Sequence, residues 1–246
     1  MASLDSDEMT AIPSISKLPA IILAGGLGTR LRPATGDIPK AIVPVAGEPF
    51  LNHLLSRLDH AGIRRAICCT GYGAEQIRQT MGEKFANIDL AYSNEDQPLG
   101  TAGAISRSAE HWRAEFALVL NGDTLFDLDL PAFLQWTVNK GDIRACLALA
   151  PTPGVNRYGS VSTNDEGGIT RFEEKGGQSS GWINAGIYLL RRTMLDEFPA
   201  TRPLSLEVDI FPAFIGNGLY GFRQQGRFLD IGVPEDYRAA EEFVRS

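Results

Sequence analysis

The chain has 246 residues, 43% of them hydrophobic, enough to bury the core of one large α/β domain, which excludes a disordered or fibrous protein. Twenty-three basic side chains against 30 acidic ones leave a formal charge of −7, so no global basic field recruits nucleic acid or an anionic membrane, and any anionic ligand must be held locally. No apolar run reaches the roughly 20 residues of a membrane helix, and Cys68, Cys69 and Cys146 are too few for a disulfide framework or a four-ligand zinc site, which points to a reducing compartment, the cytoplasm.

Residues 1–17 open with acidic side chains and continue through a Pro/Ser-containing stretch, the reverse of a signal peptide, and read as a flexible leader. Residues 18–246 read as a single domain, because no long Gly/Ser or Pro linker divides them. Within it, 19–24, 65–70, 116–120 and 143–150 are short apolar runs, each expected as a buried parallel strand. Between them Leu51, Leu54, Leu55 and Leu58, then Leu130, Phe133, Leu134 and Val138, recur at helical spacing before Gly62 and Gly141. This alternation predicts an α/β fold, a Rossmann-like, doubly wound, mostly parallel sheet with its ligand beyond the carboxyl ends of the strands. After Pro151 the pieces shorten: strands are expected at 159–163, 169–173, 182–190 and 226–231, with helices carrying Leu206, Ile210, Phe211 and Phe214 and, at the end, Tyr237, Ala240, Phe243 and Val244. This second half, 151–246, reads as a β-rich substrate-side subdomain beside a first half of 18–150. Trp112 and Trp136 are apolar enough to mark a homo-oligomer interface, although core packing is the commoner use of such side chains.

The segment Leu23-Ala24-Gly25-Gly26-Leu27-Gly28-Thr29-Arg30-Leu31-Arg32-Pro33 leaves the first strand. A dinucleotide fingerprint starting at Gly26 would need glycine where Leu31 stands, and a Walker A loop needs the same glycine followed by lysine, so both fail and a dinucleotide-dependent oxidoreductase fails with them. What remains is a glycine cluster whose missing Cβ atoms let backbone N–H groups approach phosphate oxygens, followed at once by two arginines. Pro39 then fixes the backbone from which Lys40 departs, so a second cation can reach the same ligand. Triphosphate binding is the chemistry that uses these groups together. Asp123, in Asn121-Gly122-Asp123, and Asp230, after Phe228-Leu229, put carboxylates just beyond expected strands at the ligand edge.

The LAGGLGTRLRP segment with IPKA resembles the signature of the sugar-1-phosphate nucleotidyltransferases, which join a nucleoside triphosphate to a sugar phosphate and release pyrophosphate. The resemblance runs over about residues 21–237, with the motifs in the family's order, and implies a glycosyltransferase-A-like fold in which the first half binds nucleotide and the second the sugar phosphate. It implies nucleotide contacts at Leu23, Ala24, Gly25, Gly26, Gly28, Thr29, Arg30, Lys40, Gly122 and Asp123, and base and ribose contacts at Pro98, Gly100 and Thr101. Asp123 and Asp230 would hold Mg²⁺; a hard cation that keeps several waters needs only one or two carboxylates plus phosphate oxygens. Family members that handle thymine or uracil typically carry Gln where this chain has Glu95, whereas a carboxylate can accept the adjacent N1–H and N2–H₂ donors of guanine, so GTP is the expected nucleotide. On the sugar side the resemblance implies contacts from the Tyr158-Gly159 backbone, Glu174 and Asn184, with Lys175 on the sugar phosphate. Glu207 stays open between a sugar contact and an acidic residue in the first turn of a Ser205-initiated helix. Arg30, Lys40, Asp123, Lys175 and Asp230 form the expected catalytic set. The segments NRYG, INAGIYLL, SLEVDIFP and DIGVPEDY most resemble guanylyltransferases acting on D-glycero-α-D-manno-heptose 1-phosphate, then those acting on mannose 1-phosphate, enzymes whose products feed capsule or other surface glycans. A silent nucleotide-sugar sensor on the same fold would lack the cations and carboxylates that are present here.

Overall fold

In the computed structural model, residues 13–152, 160–172, 181–198 and 202–245 are described. The strands are β1 (Ala20–Leu23), β2 (Pro44–Val45), β3 (Glu48–Pro49), β4 (Arg65–Thr70), β5 (Lys84–Phe85), β6 (Ile88–Asn94), β7 (Phe116–Asn121), β8 (Thr124–Phe126), β9 (Ala145–Thr152), β10 (Val161–Thr163), β11 (Ile169–Phe172), β12 (Gly181–Arg191), β13 (Leu219–Arg223) and β14 (Phe228–Asp230). The helices are α1 (Arg32–Thr35), α2 (Phe50–Ala61), α3 (Ala74–Met81), α4 (Gly100–Arg107), α5 (Leu130–Val138) and α6 (Pro234–Arg245).

Eight strands form one sheet in the order β13-β9-β12-β7-β1-β4-β6-β5. The pairs β1/β4, β1/β7, β4/β6 and β9/β13 are parallel, so the sheet is mostly parallel as expected. Side chains alternate across it: Ala20 and Ile22 of β1 join one core layer with Leu51, Leu54, Leu55 and Phe133 of α2 and α5, while Ile21 joins the other with Ala102 and Ile105 of α4. Gly62 ends α2 in the left-handed region, at φ 99°, which lets its N–H reach back to the last turn. At α5 the Asp129 carboxylate caps the first turn by accepting from Ala132 N–H at 3.0 Å.

Three sequence expectations need correction. Strand β12, expected within the β-rich second half, lies inside the central sheet, antiparallel to both β7 and β9. Its run Ile183, Ala185, Ile187, Tyr188, Leu189 and Leu190 is buried on both faces, a demand that a two-stranded ribbon cannot meet and the middle of a sheet can. For the same reason β9 has only one parallel neighbour, β13. The second half therefore completes the main sheet, and among the described residues the β10/β11, β8/β14 and β2/β3 ribbons lie outside it. The helix expected through Leu206, Ile210, Phe211 and Phe214 is a π-helical turn over Leu206–Ile210 followed by a 3-10 turn over Phe211–Phe214, because Pro212 has no N–H to continue the ladder. The end of the expected leader is also structured: Ile15–Lys17 make a 3-10 turn, and Ile15 packs against the core beside Gly62.

Trp112 is buried and donates to Ser108 Oγ at 3.2 Å, and Trp136 packs edge-on against Phe222, so both serve the core. Among the described residues no helix is long and apolar enough to cross a membrane.

Candidate active site

The parallel strands β1, β4, β6 and β7 end at one edge of the sheet, and the loops that leave them meet there. Ala24 N–H donates to Cys69 O at 2.8 Å, which ties the start of the glycine loop to the end of β4. Gly25 follows with no room for a side chain: an added Cβ would come within 2.6 Å of Glu95 Oε1, so Glu95 lies across the mouth from β6 against the glycine loop. Gly122, after β7, is equally confined. Its N–H donates to Leu23 O at 2.9 Å, and a Cβ there would sit 2.8 Å from that same oxygen. Gly26, Thr29 and Arg30 are exposed on the rim, and Arg30 makes no ion pair among the described residues. Arg32 turns aside instead, its guanidinium 4.7 Å over the Tyr72 ring.

Lys40 enters the mouth from below. Pro39 is buried against Gly73, where a Cβ would clash with the proline ring at 2.2 Å, and the Lys40 stem runs under the loop with its Cβ 3.5 Å from where one on Gly28 would stand. The ammonium lies 2.5 Å from Asp123 Oδ2 and 3.4 Å from Asp230 Oδ1. The two aspartates are brought together by the β8/β14 ribbon, in which Asp230 faces Thr124, and by the Ile231 N–H, which donates to Asp123 O at 3.0 Å. Thr124 Oγ1 donates to the other Asp123 oxygen at 3.1 Å and fixes its rotation. Burial, and next the charge of Asp123, raise Asp230 above the ordinary carboxylate range, while Lys40 opposes that rise. Two carboxylates that converge on one cation, one of them disfavoured without it, suit a hard divalent ion that takes its remaining ligands from water and phosphate. Among the described residues there is no cluster of three or more His, Cys, Asp or Glu side chains, so a zinc-type cage is not built here.

The other side of the mouth is a chain of hydrogen bonds. Glu95 Oε2 accepts from Leu99 N–H at 3.0 Å, just before α4. Gly100 adopts φ +75° with Leu204 O where its Cβ would be, at 2.3 Å, so α4 and the segment before Ser205 lie in direct backbone contact. Thr101 Oγ1 accepts from Leu206 N–H at 2.7 Å and donates to Glu207 Oε2 at 3.3 Å, which also accepts from Ser205 Oγ at 2.9 Å. Glu207 Oε1 accepts from the Tyr188 hydroxyl at 3.0 Å, and that hydroxyl accepts from Asn184 Nδ2 at 2.9 Å. Burial, then the neighbouring Glu207 charge, hold the Tyr188 phenol neutral well above its usual range. Glu207 is thus a hub linking the first turn of α4 to Asn184, beyond a plain first-turn acid.

The structure brings together Lys40, Asp123 and Asp230, then Gly25 with Glu95, then Thr101, Asn184 and Glu207. Pro98 is exposed, and among the described residues nothing assigns it a role. Tyr158, Gly159, Glu174 and Lys175 lie outside the described residues. Sequence reasoning missed Thr124 and Tyr188, and took Ser205 only as a helix start, whereas its hydroxyl also donates to Glu207. Tyr188 carried a signal, a hydroxyl four residues after Asn184 in an otherwise apolar strand, because alternation returns both to one face.

A glycine-wrapped mouth at the carboxyl edge of a mostly parallel sheet, with one lysine and two acids at its floor, is accompanied by a match of residues 19–246 to the family described as Nucleotidyl transferase. The chain belongs to that family. It is 38% identical over 225 residues to a D-glycero-alpha-D-manno-heptose 1-phosphate guanylyltransferase of Aneurinibacillus thermoaerophilus, covering 91% of this chain and 96% of the relative. It is 37% identical over 233 residues to a mannose-1-phosphate guanylyltransferase of Mycobacterium tuberculosis, covering 92% of this chain but 64% of that longer protein. Among solved structures, HddC from Yersinia pseudotuberculosis superposes with a TM-score of 0.83 at 35% identity, covering 92% of this chain and 99% of that one. The same protein has been crystallised with GMP-PN, giving a TM-score of 0.82.

Proposed function

We propose that this chain transfers GMP from GTP to a sugar 1-phosphate, releasing pyrophosphate, and that the sugar is D-glycero-α-D-manno-heptose. The observation that carries the reading is the convergence of Lys40, Asp123 and Asp230 beneath the glycine loop, where a triphosphate's charge would lie. An oxygen of the sugar 1-phosphate attacks the α-phosphorus of GTP in line; its bond to phosphorus forms as the bond to the bridging oxygen of pyrophosphate breaks, and no covalent enzyme intermediate is needed. Backbone N–H groups of the Gly25–Gly28 loop and the exposed Arg30 guanidinium would bind the triphosphate. Lys40 would neutralise charge that builds on the phosphoryl oxygens, and Lys175 would hold the attacking phosphate in position. Asp123 and Asp230 would hold Mg²⁺, which supplies Lewis-acid neutralisation of phosphate charge when bound.

Glu95 lies at the mouth with Oε1 against Gly25, while its Oε2 already accepts from Leu99 N–H, so Oε1 is the oxygen left to accept from a guanine edge; the heptose 1-phosphate relative named above, matched over 96% of its length, is a guanylyltransferase. Heptose is favoured over mannose by coverage, since the heptose 1-phosphate enzyme is matched over nearly its whole length. The two sugars differ by one carbon, a difference worth about 1–3 kcal/mol in a pocket. Buried, unpaired Cys68, Cys69 and Cys146 support a cytoplasmic setting, where GTP is available.

The test is pyrophosphate release with GTP, ATP, UTP and dTTP crossed against heptose, mannose and glucose 1-phosphates. Highest kcat/KM for GTP with the heptose is expected. Turnover confined to another nucleotide would refute the guanylyl reading, and preference for mannose would refute the sugar.

A further inference from the structure

We propose that Lys40 is a built-in counter-cation, occupying the metal seat in the nucleotide-free protein and leaving it when a polyphosphate arrives, so that metal and GTP bind as a coupled pair. This rests on the reading of Asp123 and Asp230 as the metal carboxylates.

The ammonium is within ion-pair distance of both acids, 2.5 Å from Asp123 and 3.4 Å from Asp230, and its side chain is only 13% exposed. A metal bound by Asp123 Oδ2 and Asp230 Oδ1 would meet Nζ at the same two oxygens, so ammonium and divalent ion exclude each other by space and by charge. The pair of acids calls for a cation in either state, because two carboxylates that converge on one point repel each other unless a positive charge lies between them. What can draw the lysine off is set by its root. Pro39, seated on Gly73, holds the backbone, while the stem passes beneath Gly28, so the tip can swing by side-chain rotation alone toward whatever anion lies on the glycine loop. A triphosphate there offers the lysine new partners and frees the carboxylates in one event. Metal without nucleotide must instead expel a mostly buried ammonium into nothing better than water.

Mn²⁺ binding, followed by electron paramagnetic resonance with and without GTP and without sugar phosphate, tests this in the wild type, Lys40→Met and Lys40→Arg. Without GTP, Lys40→Met is expected to bind Mn²⁺ at least tenfold more tightly than wild type, about 1.4 kcal/mol, and Lys40→Arg to stay near wild type. The tightening of Mn²⁺ by GTP is expected to be smaller in Lys40→Met, and adding Asp123→Asn to Lys40→Met to abolish the gain. Thermal melts verify folding, and Lys40→Gln carries the same expectation if the methionine variant does not fold. If Lys40→Met gains no affinity while GTP-dependent Mn²⁺ binding in the wild type is lost in Asp123→Asn and Asp230→Asn, the counter-cation proposal is wrong and the metal assignment stands. If GTP-dependent binding survives in both asparagine variants, the metal assignment fails and takes the proposal with it.

Discussion

Gly122→Ala perturbs the floor of the mouth through one methyl group. The new Cβ would stand 2.8 Å from Leu23 O and 3.3 Å from Ile22 Cγ2. Carbon and oxygen settle at about 3.3 Å or more, so the backbone has to part by about 0.5 Å. Strand β1 cannot give way cheaply, since it is paired on both sides, to β4 and to β7. The strain therefore falls on the turn carrying Asp123 and on the Gly122 N–H bond to Leu23 O. Overpacking of this kind costs about 1–3 kcal/mol, and at about 2–4 °C per kcal/mol for a domain of this size the melting temperature should fall by roughly 2–12 °C. A displacement of 1 Å in a positioned group can cost about a hundredfold in rate, so half of that should lower kcat by about tenfold. Differential scanning calorimetry and the pyrophosphate assay read the two effects. Gly26→Ala is the control for stability, because a Cβ there meets nothing within 4 Å and should leave the melting temperature within about 1 °C. Wild-type melting and turnover in Gly122→Ala would refute the claim that this glycine holds Asp123 by close approach to β1.

Glu95→Gln is expected to lower the ratio of kcat/KM for GTP over UTP at least tenfold, measured by pyrophosphate release across both nucleotides; an unchanged ratio would remove Glu95 from base selection. Tyr188→Phe leaves Asn184 Nδ2 and Glu207 Oε1 each short of a partner in a half-buried setting, for a loss of about 1 kcal/mol in chemical denaturation and a larger rise in KM for the sugar phosphate than for GTP. The phenol's folded pKa lies above its unfolded value near 10, so the stability it contributes is present below about pH 10 and is lost as pH rises beyond it; Tyr188→Phe should flatten that alkaline loss in melts. Burial pushes the Cys68, Cys69 and Cys146 thiols up to about 12, so a thiol reagent at pH 8 should label none of them in the native protein and all of them in denaturant. Rapid native labelling would show that the core around β4 or β9 opens readily.

Strands β1, β4 and β7 were legible because their apolar runs end at glycine or polar residues and nothing amphipathic interrupts them. Helix α2 was legible because four leucines recur on one face before Gly62. What local pattern cannot say is which strands pair. Residues 182–190 announce a strand, yet only the completed sheet reveals that it runs between β7 and β9. Strand β6 and helix α3 were passed over, because the alternation of Ile88, Asp89 and Leu90 is brief and α3 buries only Ile77 and Met81. In the site, Asp123 and Asp230 each stood out as acids beyond strand ends, but their convergence depends on the long-range β8/β14 pairing, and the lysine between them on a contact spanning 83 residues to one acid and 190 to the other. The ambiguity of Glu207 came from the same limit: Ser205 does cap the following turn, accepting from Val208 N–H at 3.3 Å, while Tyr188 and Thr101 reach Glu207 from distant segments.

The most direct measurement is a crystal structure with magnesium and a non-hydrolysable GTP analogue. The account predicts the triphosphate draped over Gly25–Gly28, one metal ion between Asp123 and Asp230, Lys40 Nζ moved onto a phosphate oxygen, and the guanine edge facing Glu95. A nucleotide bound away from this edge of the sheet, or a metal ion touching neither aspartate, would contradict it.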